Sequence, residues 1–111
     1  MNVGRFTVVK PKKVMTLDAL GIKVPVFEAA YIGDLEDEGD FTLGLYSAIT
    51  NAIYYVRGLA SDYRREIIVH EYAHALQHLL GLSQDEHDTS MSARMMCSLL
   101  KNAKLIEGGK L

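Results

Sequence analysis

Residues 67–76 contain the pattern His-Glu-x-x-His inside an apolar stretch, and this pattern constrains the fold more than any other part of the sequence. Aliphatic residues stand on both sides of the motif, so the spacing predicts a helix that runs through it. On a helix, His70 and His74 project from one face in successive turns, where both imidazoles can bind a single zinc ion. Glu71 lies between them and can reach a water molecule at that metal. The sequence therefore predicts one Zn²⁺ per chain, with His70 and His74 as ligands and Glu71 as the catalytic residue.

His78 continues the same row one turn further along the predicted helix. Two turns separate it from His70, so the two residues lie about 11–12 Å apart along the helix axis. We therefore expect His78 to stay outside the metal site. A solitary histidine on a helix is usually a surface or core residue. Burying a pair that brackets a glutamate in an apolar helix costs free energy unless the side chains have common partners, such as one metal ion. This cost favours His70 and His74 as the ligand pair.

Length and charge limit the classes of protein to which this chain can belong. Its 111 residues suffice for one domain with a modest core, which we take to span residues 1–111. The net charge is −2 with both signs interspersed, so nucleic acid is not an expected partner. Cys97 is the single cysteine, which excludes an internal disulfide and fits a reducing compartment. The sequence shows neither a signal-peptide pattern nor a stretch of membrane-spanning length, so we expect a cytoplasmic protein with no membrane partner.

Alternating and β-branched residues before the motif predict a small sheet. Residues 5–10 form a short strand, and residues 23–32 form a second strand. The second strand should begin at Pro25 or lie at an edge of the sheet, because proline cannot donate to a ladder. Residues 42–56 also fit helical spacing, but the aromatic and β-branched run at their end favours a hairpin with its turn next to Asn51.

Two helices are predicted after the hairpin. The motif helix should begin at Ser61 or Asp62, either of which can cap it, and should end just before Gly81. A second helix is expected from residues 83–85 to about residue 104. Its buried stripe would consist of Met91, Met95 and Leu99.

This order of elements resembles that of the gluzincin metallopeptidases, above all their smallest members, the minigluzincins and the short phage- or prophage-borne proteins of about this length. The resemblance covers about residues 23–101, and its specific part runs over residues 44–82. It implies a minimal zincin-like α+β fold, in which a small, mostly antiparallel sheet packs on the active-site helix and a second, ligand-bearing helix follows. It also implies that His70 and His74 bind zinc, that Glu71 is the general base, and that a glutamate on the second helix completes the metal site.

A catalytic zinc usually has three protein ligands, so one more is expected besides the two histidines. The start of the second helix offers Glu86, His87 and Asp88. Asp88 heads the apolar row that is most suited to pack against the motif helix, so it is the first candidate. His87 lies about 100° round the helix from Asp88 and is the second candidate, whereas Glu86 lies about 200° round, on the far side. The simpler interpretation of Asp88 is a carboxylate that accepts backbone N–H groups in the first helical turn.

These expectations together predict a zinc-dependent metallopeptidase, a hydrolase that cleaves peptide bonds through a zinc-activated water with Glu71 as general base. Its partner would be a peptide or protein substrate that adds to an exposed edge of the sheet, and the sequence leaves a homodimer open. The alternative is a zinc-stabilised regulatory or latent, zymogen-like protein of zincin fold with little turnover. For the latent form, residues 1–13 are the segment that could cover the site.

Hydrolases of other bonds fit the sequence less well. Deformylases share the His-Glu-x-x-His helix but also use a cysteine ligand upstream of it, and Cys97 lies after the motif. A nuclease-like family with three histidines has its third histidine at the position that Leu80 occupies here. Peptide-bond hydrolysis is therefore the activity that the sequence favours.

Overall fold

The computed structural model has an α+β architecture in the part of the chain that it describes, residues 1–19, 21–37, 39–81 and 106–107. In this part, short strands form two sheets, and the motif helix packs on the larger one. The elements in chain order are β1 (Asn2–Val3), β2 (Phe6–Val9), β3 (Lys12–Ala19), β4 (Ile22–Ala29), β5 (Tyr31–Asp34), β6 (Gly44–Ser47), β7 (Ala52–Val56), α1 (Ser61–Leu79) and β8 (Ile106–Glu107).

The larger sheet has five strands in the order β6-β7-β4-β3-β8, and the smaller has three in the order β1-β2-β5. Neighbouring strands are antiparallel except β4 and β7, which are parallel. The predicted hairpin is confirmed as β6 and β7, and Asn51 adopts a φ of 48° directly before β7. Asparagine is among the few residues other than glycine that adopt this left-handed conformation at low cost, which explains its place at the turn.

Strand β7 is buried on both of its faces. Ile53 and Tyr55 belong to a core between the five-stranded sheet and α1, whereas Ala52 and Tyr54 belong to a second core against the small sheet. Successive side chains of a strand point to opposite faces, so a continuous apolar run serves both cores. The central strands therefore lie between α1 on one side and the small sheet on the other.

Residues 1–13 form part of this framework, which corrects the suggestion that they cover the site. Val3 in β1 and Val8 in β2 are buried in the second core, on the face of β7 opposite to α1. The terminal amine donates a hydrogen bond to the carbonyl oxygen of Val8 over 3.0 Å. The segment therefore packs in the second core, on the side of the sheet opposite to the motif helix.

Strands β1, β3 and β8 were not predicted from the sequence, and the single strand predicted over residues 23–32 is two strands, β4 and β5. Met15 and Leu17 in β3 are buried and alternate with less buried neighbours, which is the period of a strand with one face in the core. The register shifts between Lys13 and Met15, and this irregularity interrupts the alternation at the start of the strand. Strand β8 then pairs with β3 at the edge of the sheet.

Pro25 lies inside β4, so the prediction that it begins the strand or marks an edge strand was wrong. Strand β4 begins at Ile22 and pairs with β3 from there, whereas its pairing with β7 begins at Val26. The stretch that contains Pro25 thus has a neighbour on one side, and a strand with one open side tolerates a residue that lacks an N–H group.

Helix α1 begins slightly earlier than predicted. Ala60 is the N-cap residue and makes no side-chain cap, so the prediction that Ser61 or Asp62 caps the helix was wrong. Leu59 packs against the core just before the cap. Gly81, with a φ of 69°, follows the end of the helix as predicted, since glycine adopts this conformation without steric cost.

The predicted second helix, from residues 83–85 to about residue 104, lies outside the described residues, as does Cys97. Over the residues that the structure does describe, no helix combines the length and the apolar character that a membrane crossing requires.

If the small sheet contributes to the core, Ile32→Ala should lower the free energy of unfolding by about 2–5 kcal/mol, because Ile32 in β5 is fully buried. Ile49→Ala is the matched control. Ile49 is 76 % exposed, so the same change there should stay within about 0.5 kcal/mol. Urea denaturation of both variants in one buffer measures the difference, and equal values would mean that the small sheet does not pack as described.

Candidate metal centre

The motif residues meet on one face at the middle of α1. One potential ligand atom from each of His70, Glu71 and His74 lies within 4.8 Å of the others, and all three side chains are half-buried. The two imidazole rings stand nearly perpendicular, with their centroids 5.0 Å apart. The structure therefore brings together the three residues that the sequence singled out, in a group that could hold a metal ion. We call these three side chains the metal cluster.

Packing of the neighbouring residues sets the rotation of the helix about its axis. Ile68, Val69, Tyr72 and Ala73 are buried in the core beneath the five-stranded sheet. The Tyr72 hydroxyl also donates a hydrogen bond to the carbonyl oxygen of Ile22 over 2.9 Å, which ties α1 to the start of β4. With this face turned to the sheet, the histidine pair and the glutamate lie at the margin of the core, between buried and exposed positions.

The motif glutamate contacts the neighbouring strand. One carboxylate oxygen of Glu71, Oε1, accepts a hydrogen bond from the backbone N–H of Tyr46 over 3.1 Å. At Gly44, an added Cβ would overlap the Cγ2 methyl of Ile67 and lie 3.5 Å from the Cγ of Glu71. Helix and strand thus approach so closely that only glycine fits at residue 44. This role of Gly44 was not predicted from the sequence, although a glycine inside a strand pattern is a known sign of close backbone approach.

Strand β6 lies at the edge of the described sheet, and its register shows which backbone groups face outward. The Val56 N–H donates to the Leu43 carbonyl over 3.0 Å. Hydrogen-bonded pairs alternate with non-bonded pairs in an antiparallel ladder. By this alternation the backbone N–H and C=O groups of Gly44 and Tyr46 point away from β7, toward the open edge. The contact from the Tyr46 N–H to Glu71 agrees with that direction.

A cleft of about 460 Å³ opens beside the motif. One wall consists of residues 41–44, which lead into β6, and the other is the first half of α1. The helix residues that line the cleft are Tyr63, Glu66, Ile67, His70 and Glu71. Two members of the metal cluster thus face an open space next to the edge strand. Such a space is large enough to receive part of an extended peptide.

His78 stays outside the metal cluster, as the sequence predicted. It is exposed, and its ring lies 6.1 Å from the ring of Tyr46, centroid to centroid. The Tyr46 hydroxyl donates to Asn51 over 2.9 Å, and burial raises the pKa of this tyrosine above its usual value. Tyr46 is therefore a neutral side chain held against the hairpin turn.

Tyr54 and Tyr55 serve packing, and neither lines the cleft. Tyr54 stacks on Phe27 with ring centroids 5.4 Å apart. The Tyr55 hydroxyl donates to Glu28 over 3.1 Å. Burial raises the pKa of Tyr55, the charge of Glu28 and the hydrogen bond to it act in the same direction, and Arg64 opposes them.

The predicted third ligand, Asp88, and its competitors His87 and Glu86 lie outside the described residues. Comparisons of the chain with protein-family models, with curated proteins and with solved structures found no match. The residues and geometry of the metal cluster therefore have to support any statement about function by themselves.

Removal of one histidine of the cluster should abolish metal binding, whereas removal of the exposed histidine should not. His74→Ala should lose bound zinc because it deletes one of two imidazoles that can share an ion. His78→Ala, one turn further, should keep about one zinc per chain because two helical turns separate it from His70. Elemental analysis after zinc loading and gel filtration measures the content. Loss of zinc in His78→Ala would show that the ligand pair begins one turn later.

Proposed function

We propose that the protein is a zinc-dependent metallopeptidase of the gluzincin type. The observation that carries the proposal is the cluster of His70, Glu71 and His74, with potential ligand atoms within 4.8 Å, beside an edge strand and an open cleft. Two histidines in successive turns with a glutamate between them are the arrangement that zinc peptidases use. The position of this cluster next to a strand edge adds a place for an extended substrate.

The donor set suits zinc. Imidazole nitrogens are good zinc ligands, and two of them on one tetrahedral zinc lie about 3.3 Å apart, which rotation of the His70 and His74 side chains can reach from the observed spacing. Asp88 on the segment after α1 is the proposed third ligand, which would leave one coordination position for water. A zinc ion in such a site lowers the pKa of water and polarises a carbonyl group.

Glu71 is the proposed general base. Its carboxylate would remove a proton from the attacking water and deliver it to the nitrogen of the leaving amine. The hydrogen bond from the Tyr46 N–H supports this role, because it orients Glu71 from outside the helix and ties its carboxylate to the substrate-binding edge. The close approach at Gly44 would keep helix and strand at the distance that this contact needs.

The Gly44 N–H and the Tyr46 carbonyl, which point outward from β6, would bind the substrate as an added strand, whereas the Tyr46 N–H bonds to Glu71 and the Gly44 carbonyl accepts from the Thr42 hydroxyl. Main-chain hydrogen bonds of this kind give affinity for extended peptides of many sequences. The scissile carbonyl would then lie over the histidine pair, since Glu71 bonds to the same stretch of β6. Side-chain selectivity would have to come from the cleft walls.

Glu71→Gln tests the proposed function. The amide keeps the size of the side chain but cannot take a proton, so turnover of a cleaved peptide should fall by about two to four orders of magnitude while zinc content and fold are kept. Glu36→Gln, at an exposed glutamate in the turn after β5, is the matched control and should leave turnover unchanged. The assay uses zinc-loaded protein with a mixture of unstructured peptides and mass-spectrometric detection.

Two outcomes of that assay contradict the proposal in different ways. Equal turnover by Glu71→Gln and wild type would remove Glu71 from the mechanism. Wild-type protein that binds zinc but cleaves no peptide would instead support the alternative of a zinc-stabilised regulatory or latent protein.

The third ligand has its own test. Asp88→Ala should weaken zinc binding at least about tenfold, whereas Glu86→Ala should change it little, because the two side chains would project from different sides of a helix. His87→Ala should fall between them. Titration against a chromophoric chelator measures the three affinities. If His87→Ala abolishes binding and Asp88→Ala keeps it, the site has three histidines and is not of the gluzincin type.

A further inference from the structure

The cleft beside the motif extends from the metal cluster toward the N-terminus of α1. Tyr63, Glu66, Ile67 and His70 line it at spacings of three, four and seven residues, which places them on one face of the helix. Glu66 precedes His70 by four residues, so the two lie about 6 Å apart along the helix axis. A group bound at the metal cluster and a group bound at Glu66 would therefore be neighbours.

The charged side chains that line this cleft are acidic. Among the described lining residues the carboxylates are Glu66 and Glu71, and neither a lysine nor an arginine is present among them. Arg65, next to Glu66 in sequence, forms its ion pair with Asp62 instead, over 3.7 Å. Glu66 itself is exposed and forms no ion pair with any described residue. Among the described residues, therefore, no lysine or arginine balances the Glu66 carboxylate of this cleft.

Two exposed aromatic rings line the same cleft as that carboxylate. Phe41 is 61 % exposed and Tyr63 is 47 % exposed, and both line the cleft. A lysine or arginine side chain matches such a surface, because its aliphatic stem packs on apolar rings while its cationic end meets the carboxylate. Aromatic faces also attract a cation directly.

We propose that this cleft is a subsite that selects a basic side chain, lysine or arginine, one or two positions from the cleaved bond, with Glu66 as the specificity-determining residue. The proposal rests on the proposed function, since it assigns a substrate class to the same site. Alternate residues of an extended peptide lie about 6.7 Å apart on one side, which is close to the one-turn distance between His70 and Glu66. The basic residue is therefore within one or two positions of the scissile bond.

Binding tests the subsite without turnover. Zinc-loaded Glu71→Gln protein is titrated with blocked hexapeptides that carry lysine, or its uncharged analogue norleucine, at one of four successive positions among alanines. At one position lysine should bind about fivefold to twentyfold more tightly than norleucine, from one partly exposed ion pair and the aromatic contacts. Adding Glu66→Gln should lower that ratio severalfold, because the ion pair is lost and only the attraction of the aromatic faces for the cation remains.

Glu36→Gln is the control, because it removes one exposed carboxylate at a residue that does not line the cleft and forms none of the described ion pairs. It should leave the lysine-to-norleucine ratio unchanged. Adding Glu66→Lys should reverse the selectivity, so that a glutamate peptide binds better than a lysine peptide. A ratio near one with Glu66 present, or a ratio that Glu66→Gln leaves unchanged, overturns the proposal.

Cleavage of the same peptides by the wild type separates this proposal from the proposed function. Cleavage with no preference for lysine at any position overturns the subsite and leaves the peptidase intact. Preferential, Glu66-dependent binding without any cleavage overturns the peptidase and leaves the subsite as a site for a basic ligand. Cleavage next to lysine, lost with Glu66→Gln, supports both.

Discussion

The packing of α1 on the five-stranded sheet is the contact on which the candidate site depends. Ile68, Val69, Tyr72 and Ala73 bury one face of the helix, and that burial sets its rotation about its own axis. A rotation by one residue would turn the histidine pair either into the core or out into solvent, since neighbouring helix positions differ by about 100°. The apolar residues thus position the polar ones, although they take no part in any chemistry.

A second contact, between α1 and β6, links the helix to the edge of the sheet. Gly44 permits the close approach of Ile67, and the Tyr46 N–H holds Glu71. Strand β6 is itself held in place by β7, which is buried between two cores. The small sheet formed by the N-terminal strands therefore supports the site from the far side, because it fills the second core behind β7 and keeps the edge strand where Glu71 meets it.

Local patterns accounted for the helix, the hairpin and the metal cluster, and they failed where a residue's environment depends on distant parts of the chain. Pro25 was placed at a strand start or sheet edge because proline lacks an N–H group, but β4 is a central strand whose two neighbours begin to pair at different residues. Strand β3 was missed because an irregularity between Lys13 and Met15 breaks its alternation. The pairing of the N-terminal strand β2 was not predicted because its partner strand, β5, lies more than twenty residues further along.

The sequence by itself determined which residues form the metal cluster. His70, Glu71 and His74 belong to one helix, and the period of a helix places them together whatever the rest of the chain does. The tertiary structure alone decided what surrounds them: the strand that meets Glu71, the cleft beside it and the exposure of Glu66 within that cleft. Those features arise from contacts between segments far apart in the chain, and local spacing carries no information about which distant segments pair.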